Sequence, residues 1–420
     1  MVSIKKLRSL KSHKILNDPV YGFITIPSEL IFSIIEHPYF QRLRRIKQLG
    51  LTDFIYPGAL HTRFHHALGA MHLMSITLDN LRNKGHEISN EEYEAALIAI
   101  LLHDVGHGPF SHALEFSLLK DIHHESMSLL IIKSLNKEFN NKLDLALKMF
   151  TGKYERKFFH QLVSSQLDID RLDYLQRDCY FTGVSEGTIG ADRIIKMMNI
   201  KDDALVIEEK GIYSIENFLS ARRLMYWQVY LHKTTVSAEK MLINLITRAK
   251  DVQQSGISLQ GSDAFIHLLQ NNYTLEDFKK SSELLDIFTE LDDYDIWGAV
   301  KQWKKNGDYV LNNISNMFLN RNLFKIDLNS TPFAGEDLEE MKVKTIKKLN
   351  IPEEDISYFF SYGSISNNAY VAKDRILIYT KKGKVIDVAQ AADLPNIKAM
   401  SKIVKKYYAC RAKKLTLPPH

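Results

Sequence analysis

Apolar residues in the first half of the chain recur at helical rather than alternating spacing. Between about Ser28 and Gly50, the positions Leu30, Ile31, Ile34 and Ile35 are followed by Phe40, Leu43, Ile46 and Leu49, and Gly50 stands where a helix C-cap is expected. Similar spacing predicts helices over about 64–84, 90–107, 124–136, 139–150 and 155–165, linked by short polar or glycine-bearing turns. The pattern then changes. Ala204-Leu-Val-Ile-Glu-Glu-Lys-Gly211-Ile-Tyr-Ser-Ile reads as two short apolar strands around a polar turn, a β-hairpin ahead of a long helix from about 215 to 249. Two more helical stretches run to about Leu323 before the breaker cluster Asn329-Ser-Thr-Pro-Phe-Ala-Gly335. Between Ile356 and Val388 lie β-rich runs such as Arg375-Ile-Leu-Ile-Tyr-Thr, followed by the hairpin-like turn Lys381-Lys-Gly-Lys. The predicted fold is mainly α: a helical bundle over residues 1–330 with a small β-hairpin, and a small C-terminal α+β unit over 331–420.

Composition narrows the class. With 420 residues the chain exceeds the size of a single core, which fits one large domain with a smaller appendage. A net charge of +5 suits an anionic ligand but is too small to argue for nucleic acid. Cys179 and Cys410 are too few for a disulfide framework or a thiolate metal site, which points to a reducing, cytoplasmic setting. Met1-Val-Ser-Ile-Lys-Lys has no apolar segment after it, and no run approaches about 20 apolar residues, so neither export nor membrane spanning is expected.

One segment carries the chemistry. In Ala95-Ala-Leu-Ile-Ala-Ile-Leu-Leu-His103-Asp104 an apolar helix ends on an imidazole and a carboxylate, which are costly to bury unless a cation compensates them. Further ligands must come from elsewhere, and His66 and Asp170 are the candidates; with His103 and Asp104 they would make an N2O2 set with positions left for water and substrate. His107 lies one turn beyond His103, His112 and Glu115 stand three apart as an imidazole and the carboxylate that orients it, and His124 follows. At helical spacing Asp170, Tyr174 and Asp178 form a stripe edged by Arg171 and Arg177, although a solvated, salt-bridged helix explains that segment equally well. Arg222, Tyr226, Tyr230 and Lys233 interleave cations with aromatics along the long helix, a pattern that grips phosphates and stacks a base or sugar.

Several ordered segments carry a family resemblance: Phe40-Gln-Arg-Leu-Arg-Arg-Ile-Lys-Gln48-Leu-Gly, Arg63-Phe-His-His66-Ala-Leu-Gly, His103-Asp104-Val-Gly-His107-Gly-Pro-Phe-Ser-His112, His124-Glu125, Ile169-Asp170-Arg-Leu-Asp-Tyr174-Leu-Gln-Arg-Asp178, Tyr230-Leu-His-Lys233 and Arg321-Asn-Leu-Phe-Lys325. Together, from about Tyr39 to Lys325, the chain resembles the HD-domain phosphohydrolases, in the deoxynucleoside triphosphate triphosphohydrolase (dGTPase) branch that includes the human SAM-and-HD-domain enzyme. The resemblance implies metal ligation by His66, His103, Asp104 and Asp170, and an α-phosphate surrounded by His107, His112 and His124, with Glu115 orienting His112 as the acid. It assigns Arg63, Arg171, Tyr174, Arg222 and Lys233 to the triphosphate, Gln48, Leu49, Tyr174 and Asp178 to the sugar, and Tyr230 to the substrate pocket. Leu231 and Glu36 depart from the human enzyme at a base position and a nucleotide-activator position.

The activity implied is metal-dependent hydrolysis of a deoxynucleoside triphosphate to deoxynucleoside and tripolyphosphate, with a divalent Mn, Mg, Fe, Co, Ni or Zn ion as cofactor. A homo-oligomer of two or four copies and a nucleotide activator go with that reading, with no membrane partner and no support for nucleic acid. Its rivals are an HD-type phosphodiesterase or nucleotidase on the same metal core, and a non-catalytic nucleotide or nucleic-acid binding protein.

Overall fold

The computed structural model describes residues 14–110, 115, 117–119, 121–367, 375–392 and 404–415. It is mainly helical with small sheets. Ala95 to Leu102 are all buried, so the helix Asn90–Leu102 runs through the core rather than along its surface, which is why its sequence shows no polar face. Its start is fixed by a reciprocal cap: Ser89 Oγ accepts the Glu92 N–H and Glu92 accepts the Ser89 N–H. Against it packs the helix Arg63–Asn83, which in turn packs on Ile169–Thr182. These three elements position the site. No helix among the described residues is long and apolar enough to cross a membrane.

Several boundaries differ from the sequence expectation. The helix expected over about 28–50 stops at Glu36, because His37 precedes Pro38 and is held extended; a short helix Pro38–Gln41 and a 3-10 turn Arg42–Arg45 follow. Gly50 is left-handed at φ +51°, but in a loop rather than at a helix end. The helix expected from about 139 starts at Asp144, after Asn140 and Asn141 turn the chain at positive φ. The hairpin is displaced: Met198–Lys201 pairs with Ala204–Glu208 around left-handed Asp202 and Asp203, while Ile212 already begins a helix. The long helix is two helices, Ile212–Met225 and Lys233–Gln254, separated by a π-turn over Tyr226–Tyr230 in which the Leu231 N–H reaches the Tyr226 carbonyl at 2.7 Å.

A further hairpin, Lys14–Asp18 with Gly22–Ile26, precedes the bundle. The strands of the C-terminal region pair with the rest of the chain: Leu377–Tyr379 runs parallel to Ala204–Glu208, and Val404–Arg411 lies between Lys325–Asn329 and Phe360–Asn367. Leu377–Tyr379 and Val385–Asp387 form the antiparallel pair around Gly383.

Asp293, at the start of the helix Asp293–Trp303, ties two site loops together: its carboxylate accepts the Lys47 N–H at 2.9 Å and the Phe110 N–H at 2.8 Å. Burial pushes this carboxyl up to about 6, although both N–H groups favour the ionised form. An acid whose folded-state pKa is raised contributes most below its unfolded value and loses that contribution as pH climbs through the folded one. The stability of the wild type minus that of Asp293→Asn should therefore fall by about 2 kcal/mol between pH 4 and pH 7. Urea unfolding of both proteins across this range checks it, and a flat difference would contradict it.

Candidate active site

The core helix delivers His103 at its C-terminal end, the Arg63–Asn83 helix delivers Arg63 and His66 from its first turn, and the Ile169–Thr182 helix delivers Asp170. His66 Nε2 lies 3.3 Å from His103 Nε2, 3.1 Å from Asp170 Oδ1 and 3.8 Å from Asp104 Oδ2. His103 Nε2 is 3.4 Å from Asp104 Oδ1 and 3.3 Å from Asp170 Oδ1. Two nitrogens and the Asp170 carboxylate thus lie together, with the Asp104 carboxylate beside them.

The outer hydrogen bonds decide what those nitrogens offer. His66 Nδ1 is 2.7 Å from Asp173 Oδ2 and His103 Nδ1 is 2.6 Å from the Ile100 carbonyl; both partners only accept, so each Nδ1 carries the proton. The two Nε2 lone pairs then point at each other, an arrangement that needs positive charge between them. Burial alone would lower the His66 imidazole, but the Asp170 and Asp173 carboxylates against its two nitrogens favour the positively charged ring and push it up to about 10, a measure of how strongly this pocket favours a cation. Burial also disfavours charge on Asp104, yet His103, His107 and Arg63 hold it well below the usual carboxylate range. His66, His103 and Asp170 form one donor cluster with the Asp104 carboxylate beside it, and imidazole and carboxylate donors of this kind fit a borderline or hard divalent metal.

Behind His66 a buried chain runs outward. Asp173 accepts from Arg177 Nε and Nη2 at 3.0 Å each, and Arg177 Nη1 reaches Asp18 of the N-terminal hairpin at 2.7 Å. Gly69 makes room for it, since a Cβ there would lie 2.1 Å from both Asp173 Oδ1 and Arg177 Nη2. Arg63 Nη1 donates to Asp104 Oδ2 at 2.5 Å.

On the other side of Asp104, His107 Nε2 is 3.4 Å from Asp104 Oδ1, and the His107 ring stacks on His124 at 3.7 Å. Burial and the nearby Arg63 push the His107 imidazole well down, which keeps it neutral. His124 Nδ1 pairs with Glu115 Oε1 at 2.8 Å. The helix His124–Glu138 can come this close because residue 106 is glycine: a Cβ there would meet Ser128 N at 2.1 Å and His124 O at 2.4 Å. Asp104, His107 and His124 form a second donor cluster beside the first.

The HD domain family matches residues 63–178 and the HD associated region matches 189–272. A crystal structure of a phosphohydrolase from Bacteroides thetaiotaomicron superposes with a TM-score of 0.92 at 49% identity, covering 96% of this chain and all of that one. The YwfO protein of Bacillus subtilis, described as uncharacterized, is 36% identical over 326 residues, 75% of this chain and 72% of its own length. A Dictyostelium discoideum protein named deoxynucleoside triphosphate triphosphohydrolase SAMHD1 homolog is 32% identical over 295 residues, 66% of this chain and 57% of its own length. The chain belongs to the HD-domain phosphohydrolases.

In this HD phosphohydrolase the other sequence candidates lie as follows. Tyr174 sits 6.5 Å from the His66 ring and is flanked by the charges of Arg171 and Arg222. Tyr230 packs on Tyr174 at 6.1 Å and donates to Asp178 at 2.8 Å, so the broken helix still turns Tyr230 toward Asp178. Arg171 is paired with Asp168 through Nη1. Gln48 and Leu49 are half-buried, whereas Lys233 is exposed. His112 lies outside the described residues. Glu115, expected beside His112, bonds His124. Asp173 and His61 took no role in the sequence reading, where Arg177 stood only at the edge of the Asp170 stripe; the spacing of Asp170 and Asp173 on one helix face was the available signal.

Proposed function

We propose that this phosphohydrolase cleaves deoxynucleoside triphosphates to deoxynucleoside and tripolyphosphate. The observation that carries the reading is Arg222: it is buried beside Tyr174, and its Nε and Nη1 have no hydrogen-bond partner. A buried guanidinium with unsatisfied donors is costly unless an anion completes it. Arg171 Nε, on a second cation whose charge acts on Tyr174, is likewise buried without a partner. The SAMHD1 homologues named deoxynucleoside triphosphate triphosphohydrolases support the same substrate class.

In this reading His66, His103, Asp104 and Asp170 would hold a divalent Mn, Mg, Fe, Co, Ni or Zn ion, which when bound polarises a phosphoryl oxygen and acidifies a water. Asp173 and the Ile100 carbonyl keep both imidazoles in the ligating tautomer. Arg63, Arg171, Arg222 and Lys233 offset the polyphosphate charge, and neutral His107 with His124, His112 and Glu115 handles the proton of the leaving oxygen. Leu49 and Tyr174 crowd the sugar against a ribose 2′-hydroxyl.

Incubation with dGTP, GTP, dGMP and bis-p-nitrophenyl phosphate in Mg²⁺, Mn²⁺ or Co²⁺, with products resolved as nucleoside or monophosphate, tests the reading. Deoxyguanosine and tripolyphosphate are expected from dGTP, with GTP a poor substrate. Arg222→Gln should weaken dGTP use by about 10- to 100-fold, the worth of one charge-assisted contact, and leave dGMP binding nearly unchanged. Equal cleavage of GTP and dGTP, or faster cleavage of the diester, would overturn the substrate assignment in favour of a phosphodiesterase.

A further inference from the structure

His61 lies just before the first ligand helix and is buried, 1% exposed. Its main chain and its ring serve two different groups. The His61 carbonyl accepts the Gln48 N–H at 3.0 Å, within the short antiparallel pairing that links Lys47 to Thr62 and Arg63 to Ile46. Its Nε2 lies 2.7 Å from Asp178 Oδ1, while Tyr230 donates to Asp178 Oδ2 at 2.8 Å. Because a carboxylate only accepts here, Nε2 carries the proton. Nδ1 is buried with no hydrogen-bond partner, and the ring face is covered by Phe181, stacked at 4.5 Å. The bond to Asp178 is therefore the polar work of this side chain.

Two acceptor sites of the Asp178 carboxylate are taken, one on each oxygen, and one on each remains. Gln48 Oε1 is also buried with no partner. We propose that His61 is the positioning residue of the sugar subsite, holding Gln48 through its carbonyl and Asp178 through its ring so that the pair receives a sugar hydroxyl. This rests on the deoxynucleotide reading above and sharpens it. A 2′-deoxynucleoside triphosphate has a single free ring hydroxyl, on C3′, so that hydroxyl is the group recognised.

The experiment compares dGTP with 2′,3′-dideoxy-GTP, which lacks that hydroxyl, on wild type, His61→Leu, His61→Asn and His61→Gln, all metal-loaded. Wild type is expected to show a KM about tenfold lower for dGTP than for the dideoxy nucleotide, the worth of one charge-assisted hydrogen bond. Leu, and Asn whose shorter amide falls short of Asp178, should raise the dGTP KM about tenfold with kcat, metal content and the dideoxy KM unchanged; Gln, with a donor of comparable reach, should restore the preference. Should the Leu protein not fold, Asn gives the same readout. A parallel rise for both nucleotides, or no dGTP preference in wild type, overturns the assignment. If wild type hydrolyses neither nucleotide, the proposed reaction fails, and His61 is judged by competition against a fluorescent nucleotide: a dGTP preference lost in the Leu protein sustains it, and equal binding or none overturns it.

Discussion

His66→Ala and Asp104→Ala are expected to lose bound metal and to lower turnover by at least about 10³-fold, since the metal supplies several kcal/mol of transition-state stabilisation. Each removes one of four donors that lie within 3.1 to 3.8 Å of one another in the pairs measured at His66. The His66 variant is the cleaner test of ligation, because Asp173 keeps Arg177 as its partner when the imidazole goes. Asp104→Ala also takes the carboxylate from Arg63, so a lower melting temperature should accompany its loss of metal. Far-UV circular dichroism should be unchanged in both. Wild-type metal content by elemental analysis in either variant would contradict the ligand assignment.

The donors were legible because a bundle core tolerates few polar residues: an eight-residue apolar run ending in His103 and Asp104 stands out against its surroundings. Asp173 and Arg177 were not, since an acid and a base four apart on a helix read as a solvated pair until the tertiary fold buries both completely. Likewise His61 faces an aspartate 117 positions away, which no local pattern encodes. The π-turn escaped because Arg222, Tyr226 and Tyr230 keep i+4 spacing into and through the break. The displaced hairpin has a similar cause. Val206 pairs with both Asn199 and Leu377, a long-range choice that made Ala204–Glu208 a strand while the equally apolar Ile212 became a helix start.

Removing the proposed acid–base group without touching the proposed metal site should cost nearly as much as removing the metal. His124→Ala and Glu115→Ala are expected to retain metal and nucleotide binding and to lose about 10²- to 10⁴-fold in kcat, the usual worth of a positioned general acid or base. Glu115 accepts the hydrogen bond of the His124 Nδ1–H at 2.8 Å, which assigns proton transfer to Nε2. The ring is also held from its face, by stacking on His107, and from its backbone, by the approach of Gly106 to the start of its helix. Orientation and charge are separable here. Glu115→Gln keeps an oxygen that accepts the Nδ1 proton but removes the negative charge that stabilises an imidazolium, so it should fall between wild type and Glu115→Ala, at about tenfold below wild type. The same kcat for the Gln and Ala variants would mean that charge, rather than orientation, is what Glu115 provides. An unchanged kcat in His124→Ala would take this pair out of the reaction, and His107 and His112 would then be the imidazoles left to carry the proton.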